Sequence, residues 1–199
     1  MTPLGWLAAL VLLLQLPIPL YWFVVHPQVV FWRRHQKASY IVALLCSWPP
    51  VTAGIVLFRK ELFRLDGPPM WAARIGFALI IFEGWLFWRL TRDLGIARLV
   101  GRAELCGTGS IANHGIYARI RHPRYAGSLL AILGACLLAG KPAMWIVAAA
   151  WATLMLLAIS LEEREMRRRF GPAYEEYARQ VPRFLPRLNR VGKTSVNSP

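Results

Sequence analysis

The sequence predicts an all-α integral membrane bundle of about five transmembrane helices with a C-terminal cytoplasmic amphipathic helix. Three observations carry this. Hydrophobic residues make up 56% of the 199 positions, above the roughly 45–50% of a typical soluble domain. That excess is gathered into long apolar blocks. The formal net charge is +14, and the basic residues fall between and after the blocks, where they orient a chain in a membrane.

The first apolar run, Leu4–Val25, carries no charge and is long enough to cross about 30 Å of hydrocarbon. It lacks the basic leading region and the shorter apolar core of a cleavable signal, so a retained helix is expected. Pro17 and Pro19 predict a kink in it. His26–Ser39 reads as a short basic loop containing Arg33, Arg34 and Lys37. Tyr40–Phe58 is the second span, broken at Pro49-Pro50. A polar loop, Arg59–Pro69, leads to the third span, Met70–Leu90, which contains Arg74, Glu83 and Arg89.

Residues 92–124 form a glycine-rich, basic segment that does not span. The fourth apolar run, Ala126–Gly140, has only about 15 residues. Lys141-Pro142 predicts a tight turn into the fifth run, Ala143–Leu161. The short fourth run and the fifth are expected as a helical hairpin that tilts, thins the bilayer or only partly crosses it. Glu162–Gln180 reads as one amphipathic helix with a basic face, and Val191–Pro199 as a disordered tail. The organisation is then a single membrane domain. Residues 1–104 hold three spans and a loop, 105–187 the hairpin with its polar flanks, and 188–199 a flexible tail.

Placing the N-terminus outside, with five crossings, puts Arg33, Arg34, Lys37, the 92–124 segment and the C-terminus on the cytoplasmic side. Only Arg59, Lys60, Arg64 and Lys141 then lie outside. Short loops and the missing signal peptide suggest a prokaryotic inner membrane. The charge does not indicate nucleic acid, because no zinc-finger spacing, helix-turn-helix pattern or aromatic-interleaved basic stripe is present. Cys46, Cys106 and Cys136 are odd in number and form no C-x-x-C, so neither a disulfide framework nor a metal site is expected.

Two segments carry chemistry-bearing residues. The first, Gly115 to Gly127, packs Tyr117, Arg121, His122, Pro123 and Tyr125 at the foot of the fourth run. Pro123 sets a rigid helix entry, and His122 and Tyr125, three apart, share a face if the helix has begun. The second begins with Glu162 and Glu163, where the fifth run leaves the apolar block, and continues to Tyr177. A hairpin turning at Lys141-Pro142 brings these two segments together as one interfacial polar pocket. Interfacial anchoring accounts for Arg, His and Tyr at a membrane boundary, and a solvated helix accounts for a pair of acids, so neither segment alone decides.

As a set the two are specific. The stretch Gly115, Tyr117, Arg121, His122, Pro123, Tyr125, Gly127, then Glu162, Glu163, Phe170, Gly171, Tyr174, Tyr177, Val181, Pro182 and Pro186 resembles the C-terminal half of the isoprenylcysteine carboxyl methyltransferase and phospholipid methyltransferase superfamily. The resemblance covers roughly residues 105–187 and implies an enzyme using S-adenosyl-L-methionine. It implies cofactor contacts at Gly115, Tyr117, His122, Pro123, Tyr125, Gly127, Glu162 and Glu163. Arg121, Glu163 and Glu83 are the candidate catalytic residues. Glu83 enters on its own account, because an acid within a span is costly and often functional; it is expected to face the bundle interior and line the acceptor site. The acceptor implied is lipid-like and enters from the bilayer, with membrane lipids as surroundings and no metal or nucleic acid.

One departure bears on the acceptor. Where the eukaryotic carboxyl methyltransferases carry an arginine about a turn ahead of the acidic pair, this chain has Ala158 and Ile159. Arg179 and Arg183 are candidates to replace it, and an amine lipid, a small thiol or another hydrophobic acid is left open. For an amine, Glu163 or His122 is available to take the proton. An NADPH-dependent membrane reductase and a non-enzymatic membrane scaffold are the competing classes. The chain's length argues against the reductase, whose kind usually has about ten spans. The sequence leaves the oligomeric state open.

Overall fold

Apolar periodicity and proline placement lay out the chain as helices from end to end. The computed structural model describes residues 1–99 and 110–186, and among these every regular element is helical. The tail expected at 188–199 lies outside the described residues, as does Cys106. Helix α1 (Pro3–Gln15) starts at Thr2, whose Oγ1 accepts from Gly5 N at 3.1 Å. The ladder is interrupted at Leu16, because Pro17 and Pro19 have no amide to donate, and α2 (Pro17–Val25) follows.

Next come α3 (Val29–Arg34), α4 (Gln36–Leu57), the single turn α5 (Arg59–Leu62) and α6 (Met70–Leu94). They are followed by α7 (Ile96–Leu99), a 3-10 turn (Gly115–Ala118), α8 (Pro123–Ala139), α9 (Ala143–Phe170) and α10 (Pro172–Gln180). Among the described residues, four stretches are long and apolar enough to cross a membrane: Pro3–Arg34, Gln36–Leu57, Met70–Leu94 and Ala143–Phe170. Helix α8, with 17 residues, is the shorter apolar helix between them. Leu45, Ile81, Trp85 and Trp88 are exposed on the outside, as surfaces bathed in lipid require.

Three expectations need correction. The stretch expected as a basic loop, His26–Ser39, is helical: a 3-10 turn at His26–Gln28, then α3, then the first turn of α4. Its Val29-Val30-Phe31-Trp32 core is apolar enough to continue the helix, and Trp32 Nε1 donates to Val24 O at 2.9 Å. The second span is not broken at Pro49-Pro50; α4 runs through both. Each proline costs one amide donor but keeps a helical φ, and the helix on either side holds the register. The helix expected over Glu162–Gln180 is two. Its first half belongs to α9, and the chain turns at Gly171, with φ of 52° and ψ of −131°, a conformation open to glycine. Pro172 then starts α10.

The short helix lies at the centre. Gly127, Ala131, Ala135 and Ala139 repeat every four residues on α8, and all are buried. Such a stripe lets backbones approach closely where lipid supplies no hydrophobic drive between helices. Helix α8 packs on α6, α1 and α9. At the α6–α8 crossing the two backbones nearly touch: a Cβ on Gly76 would lie 2.8 Å from Gly134 O, and one on Gly134 2.7 Å from Gly76 O. The hairpin predicted at Lys141-Pro142 is present, with Cys136 Sγ donating to Met144 O at 3.3 Å across it. Trp151 of α9 donates to Gln15 O at 2.9 Å, tying α9 to the end of α1.

The crossing generates a prediction. Gly134→Val is expected to destabilise the bundle by roughly 1–3 kcal/mol, the usual cost of overpacking, read as a lower thermal midpoint in detergent. Gly84→Ala, where an added Cβ meets nothing within 4 Å, is the control and is expected to leave the midpoint unchanged or slightly raised.

Candidate active site

Helix α9 presents Glu162 and Glu163 on successive positions, about 100° apart around the axis. The two carboxylates therefore serve different surroundings. Glu163 is 1% exposed and gathers cations from three segments. Arg121 Nη2 donates to its Oε1 at 3.0 Å, and His122 Nε2 lies 3.1 Å from the same oxygen. Arg183 grips both oxygens, Nε to Oε1 at 3.1 Å and Nη2 to Oε2 at 2.6 Å. Arg167, one turn along α9, stands 3.6 Å from Oε2. The hydrogen bond to Glu163 raises the Arg183 pKa, so this arginine stays charged.

The same knot fixes the C-terminal strap. Arg121 N donates to Pro182 O at 2.8 Å and His122 N to Arg183 O at 3.0 Å. Arg121 Nη1 reaches Ala178 O at 2.5 Å. Tyr177 OH donates to Tyr117 O at 2.8 Å, which seats α10 on the 3-10 turn. Burial pushes the Tyr177 hydroxyl up to about 12 and also raises Tyr174, which lies near Glu163. Both phenols remain protonated through the physiological range, so the Tyr177 bond is kept.

Glu162 faces the other way, onto a cavity of about 570 Å³. Tyr125 OH donates to Glu162 Oε2 at 2.5 Å. The His122 and Tyr125 rings stack with centroids 5.6 Å apart and planes 21° apart, the shared face that their spacing predicted. Tyr117, Arg121, His122, Arg124, Tyr125 and Glu162 line the polar end. Leu14 and Ile18 from the first two helices, with Ile41, Leu44 and Trp48 from α4, line the apolar end. One cavity wall thus combines charged and aromatic residues with apolar residues from membrane-length helices.

Of the residues singled out in the sequence, Tyr117, Arg121, His122, Tyr125 and Glu162 come together on this wall. Glu163 stands behind it. Gly115 opens the 3-10 turn that carries Tyr117, and Pro123 opens α8. Gly127 packs against the Leu86 and Glu83 side chains of α6. Glu83 is off the wall, accepting from Arg124 Nη1 at 3.0 Å. Of the two arginines considered for the acceptor, Arg179 pairs with Glu176 on the surface and Arg183 is held by Glu163.

Sequence reasoning missed Arg124, which lines the cavity, because it occupies the unspecified position of R-H-P-x-Y. Its four-residue spacing from Ser128 was the available signal. Also missed was His26, buried and stacked on Trp22 with centroids 4.8 Å apart. Among the described residues no group of three or more His, Cys, Asp or Glu side chains is arranged to hold a metal ion.

The sequence profile of the phospholipid methyltransferase family matches residues 71–173. Methanethiol S-methyltransferase 2 of Bradyrhizobium diazoefficiens is 36% identical over 77 residues, 37% of this chain and 27% of that protein. The cobalt-zinc-cadmium resistance protein CzcN of Cupriavidus metallidurans is 36% identical over 81 residues, 40% of this chain and 37% of that protein. The chain thus matches well under half the length of either relative. No solved structure matches the chain.

The Glu163 knot makes a contrast testable. Glu163→Gln leaves Arg121 and Arg183 without their counter-charge and is expected to cost about 3 kcal/mol, seen as a lower thermal midpoint and faster tryptic cleavage after Arg183. Arg167→Gln removes a longer, half-exposed contact and is expected to cost under about 1 kcal/mol, with cleavage unchanged.

Proposed function

The chain belongs to the phospholipid methyltransferase family, and from that membership we propose that it transfers a methyl group from S-adenosyl-L-methionine to a lipid-like or membrane-partitioning acceptor. The observation that carries the proposal is a cavity lined by both charged side chains and apolar residues of membrane-length helices. Its volume is within the roughly 300–1,000 Å³ of small-molecule sites. A water-soluble donor and a membrane-dissolved acceptor need such a shared space.

The residues present fit that cofactor. When bound, it supplies an electrophilic methyl group on a sulfonium, together with an adenine, an ammonium and a carboxylate. Glu162 and the faces of Tyr117, Tyr125, Tyr174 and Tyr177 suit positive charge and a flat ring. The Tyr125 hydroxyl fixes Glu162 by its hydrogen bond. His122 and Arg121 are held by Glu163, so Glu163 acts as a positioning residue. Displacement at a methyl group needs alignment and exclusion of water more than covalent help. The apolar lining, with Tyr174 and Tyr177 of α10 on the same wall, supplies that exclusion.

For an acceptor that must lose a proton, such as an amine or a thiol, Glu162 is the carboxylate on the cavity wall placed to receive it. A thiol acceptor is favoured by one specific comparison, the relative named a methanethiol S-methyltransferase. The apolar lining argues for a larger apolar acceptor. With the N-terminus outside, the polar lining of the cavity faces the cytoplasm of a prokaryotic cell.

Calorimetric titration of the detergent-purified protein with S-adenosylhomocysteine tests the proposal. Binding is expected in the wild type, weakened about tenfold or more by Glu162→Gln, in line with loss of a charge-assisted contact, and strongly reduced by His122→Ala. A folded wild type that ignores S-adenosylhomocysteine but binds NADPH would move the protein to the reductase class.

A further inference from the structure

Two arginines face the cavity, Arg121 and Arg124, and the structure uses them differently. Arg121 has its Nη groups on Ala178 O and Glu163, and its Nε is buried without a partner among the described residues. It is committed to the knot. Arg124 is held from one side only. Its Nη1 donates to Glu83 Oε1 at 3.0 Å and to Ser128 Oγ at 2.9 Å, and its guanidinium stacks over Phe87 with the carbon 4.8 Å from the ring centroid.

A guanidinium has five N–H donors. Those two bonds account for the Nη1 pair. Three donors, on Nη2 and Nε, have no acceptor among the described residues, and Arg124 is one of the residues that line the cavity. The side chain keeps 22% of its surface exposed. A fork clamped at Nη1 by a carboxylate and a hydroxyl, laid over an aromatic face and part of a cavity wall, has donors left for a planar anion.

We propose that Arg124, held by Glu83 on α6, is the carboxylate-binding residue of this cavity. The proposal deepens the methyltransferase reading and rests on it for the identity of the ligands. It gives Glu83 a positioning role, which accounts for a costly acid within a span. It also supplies the arginine that Ala158 and Ile159 do not. The carboxylate has two sources: the amino-acid end of the methyl donor, or an acidic group on the acceptor. Both present the same two oxygens to the fork.

Arg124→Gln separates them. S-Adenosylhomocysteine and 5′-methylthioadenosine, which lacks the amino-acid end, are titrated calorimetrically. Radiolabelled dodecanoate and dodecanol are compared by scintillation proximity on protein in lipid nanodiscs. Loss of a charge-assisted bidentate contact is expected to weaken the responsible ligand about 10- to 100-fold. Weaker S-adenosylhomocysteine with unchanged 5′-methylthioadenosine assigns the carboxylate to the donor. Unchanged S-adenosylhomocysteine with loss of the preference for dodecanoate over dodecanol assigns it to the acceptor. No change in either comparison overturns the proposal.

Arg124→Gln also strands Glu83 and can fail to fold. The double variant Glu83→Gln with Arg124→Gln removes both charges and is read against the same ligands. Glu83→Gln alone, which frees the fork without removing it, is expected to weaken the same ligand by a smaller factor than Arg124→Gln. If the wild type binds no S-adenosylhomocysteine, the methyltransferase reading fails by itself. The dodecanoate comparison then decides Arg124: a wild-type preference lost in the variant supports it, and no wild-type preference overturns it.

Discussion

A single carboxylate, Glu163, organises the polar half of this molecule. It is nearly inaccessible and lies among Arg121, His122, Arg183 and Arg167. A buried charge of this kind is tolerable only when its oxygens are fully hydrogen-bonded by partners of opposite sign. Meeting that condition draws three separated parts of the chain to one point: the entry to α8, the end of α9 and the strap after α10. The backbone pairing of Arg121 and His122 with Pro182 and Arg183 follows, because side chains anchored on one carboxylate leave their main chains alongside each other. The pairing of the strap with the entry to α8 is thus a consequence of one ion cluster.

The membrane half follows a different rule. Lipid cannot drive helices together by the hydrophobic effect, so contact must come from close packing. The glycine and alanine stripe of α8 meets this, and the Gly76–Gly134 crossing brings α6 to backbone contact. That contact places Glu83 within reach of Arg124. A larger residue at the crossing would separate the ion pair as well as the helices. Packing without polar groups therefore sets the geometry of the Glu83–Arg124 pair.

Much of this was legible in the sequence, because each feature was local or carried by a fixed spacing. The apolar runs gave the helices, Pro123 the start of α8, Lys141-Pro142 the hairpin, and the three-residue step from His122 to Tyr125 the ring stack. The hairpin alone was enough to predict that the acidic pair would meet the His/Tyr cluster. What was not legible depended on facing and on long-range partners. Nothing in Glu162-Glu163 says which carboxylate looks into a cavity and which into a cluster of arginines. Arg183 is 20 residues from Glu163, and Arg124 is 41 from Glu83; no periodicity links such pairs. The Val29–Trp32 helix was hidden by the basic residues that follow it, and the continuous α4 by a rule about proline that holds for donors and not for φ.

The adjacency of Glu162 and Glu163 then acquires a physical meaning. One helical step turns a side chain by about 100°, so the two neighbours address opposite sides of the same wall while sharing one backbone. Glu163 fixes that backbone against Arg121, His122 and the strap. Glu162 inherits the fixed position and presents it to the cavity, with Tyr125 holding its other oxygen in place. A site built on a loop would need extra contacts to reach the same order. Here the group that faces the ligand space is immobilised by a neighbour that never touches it. The strap cannot leave without loosening the acid pair, because Arg183 grips both oxygens of Glu163.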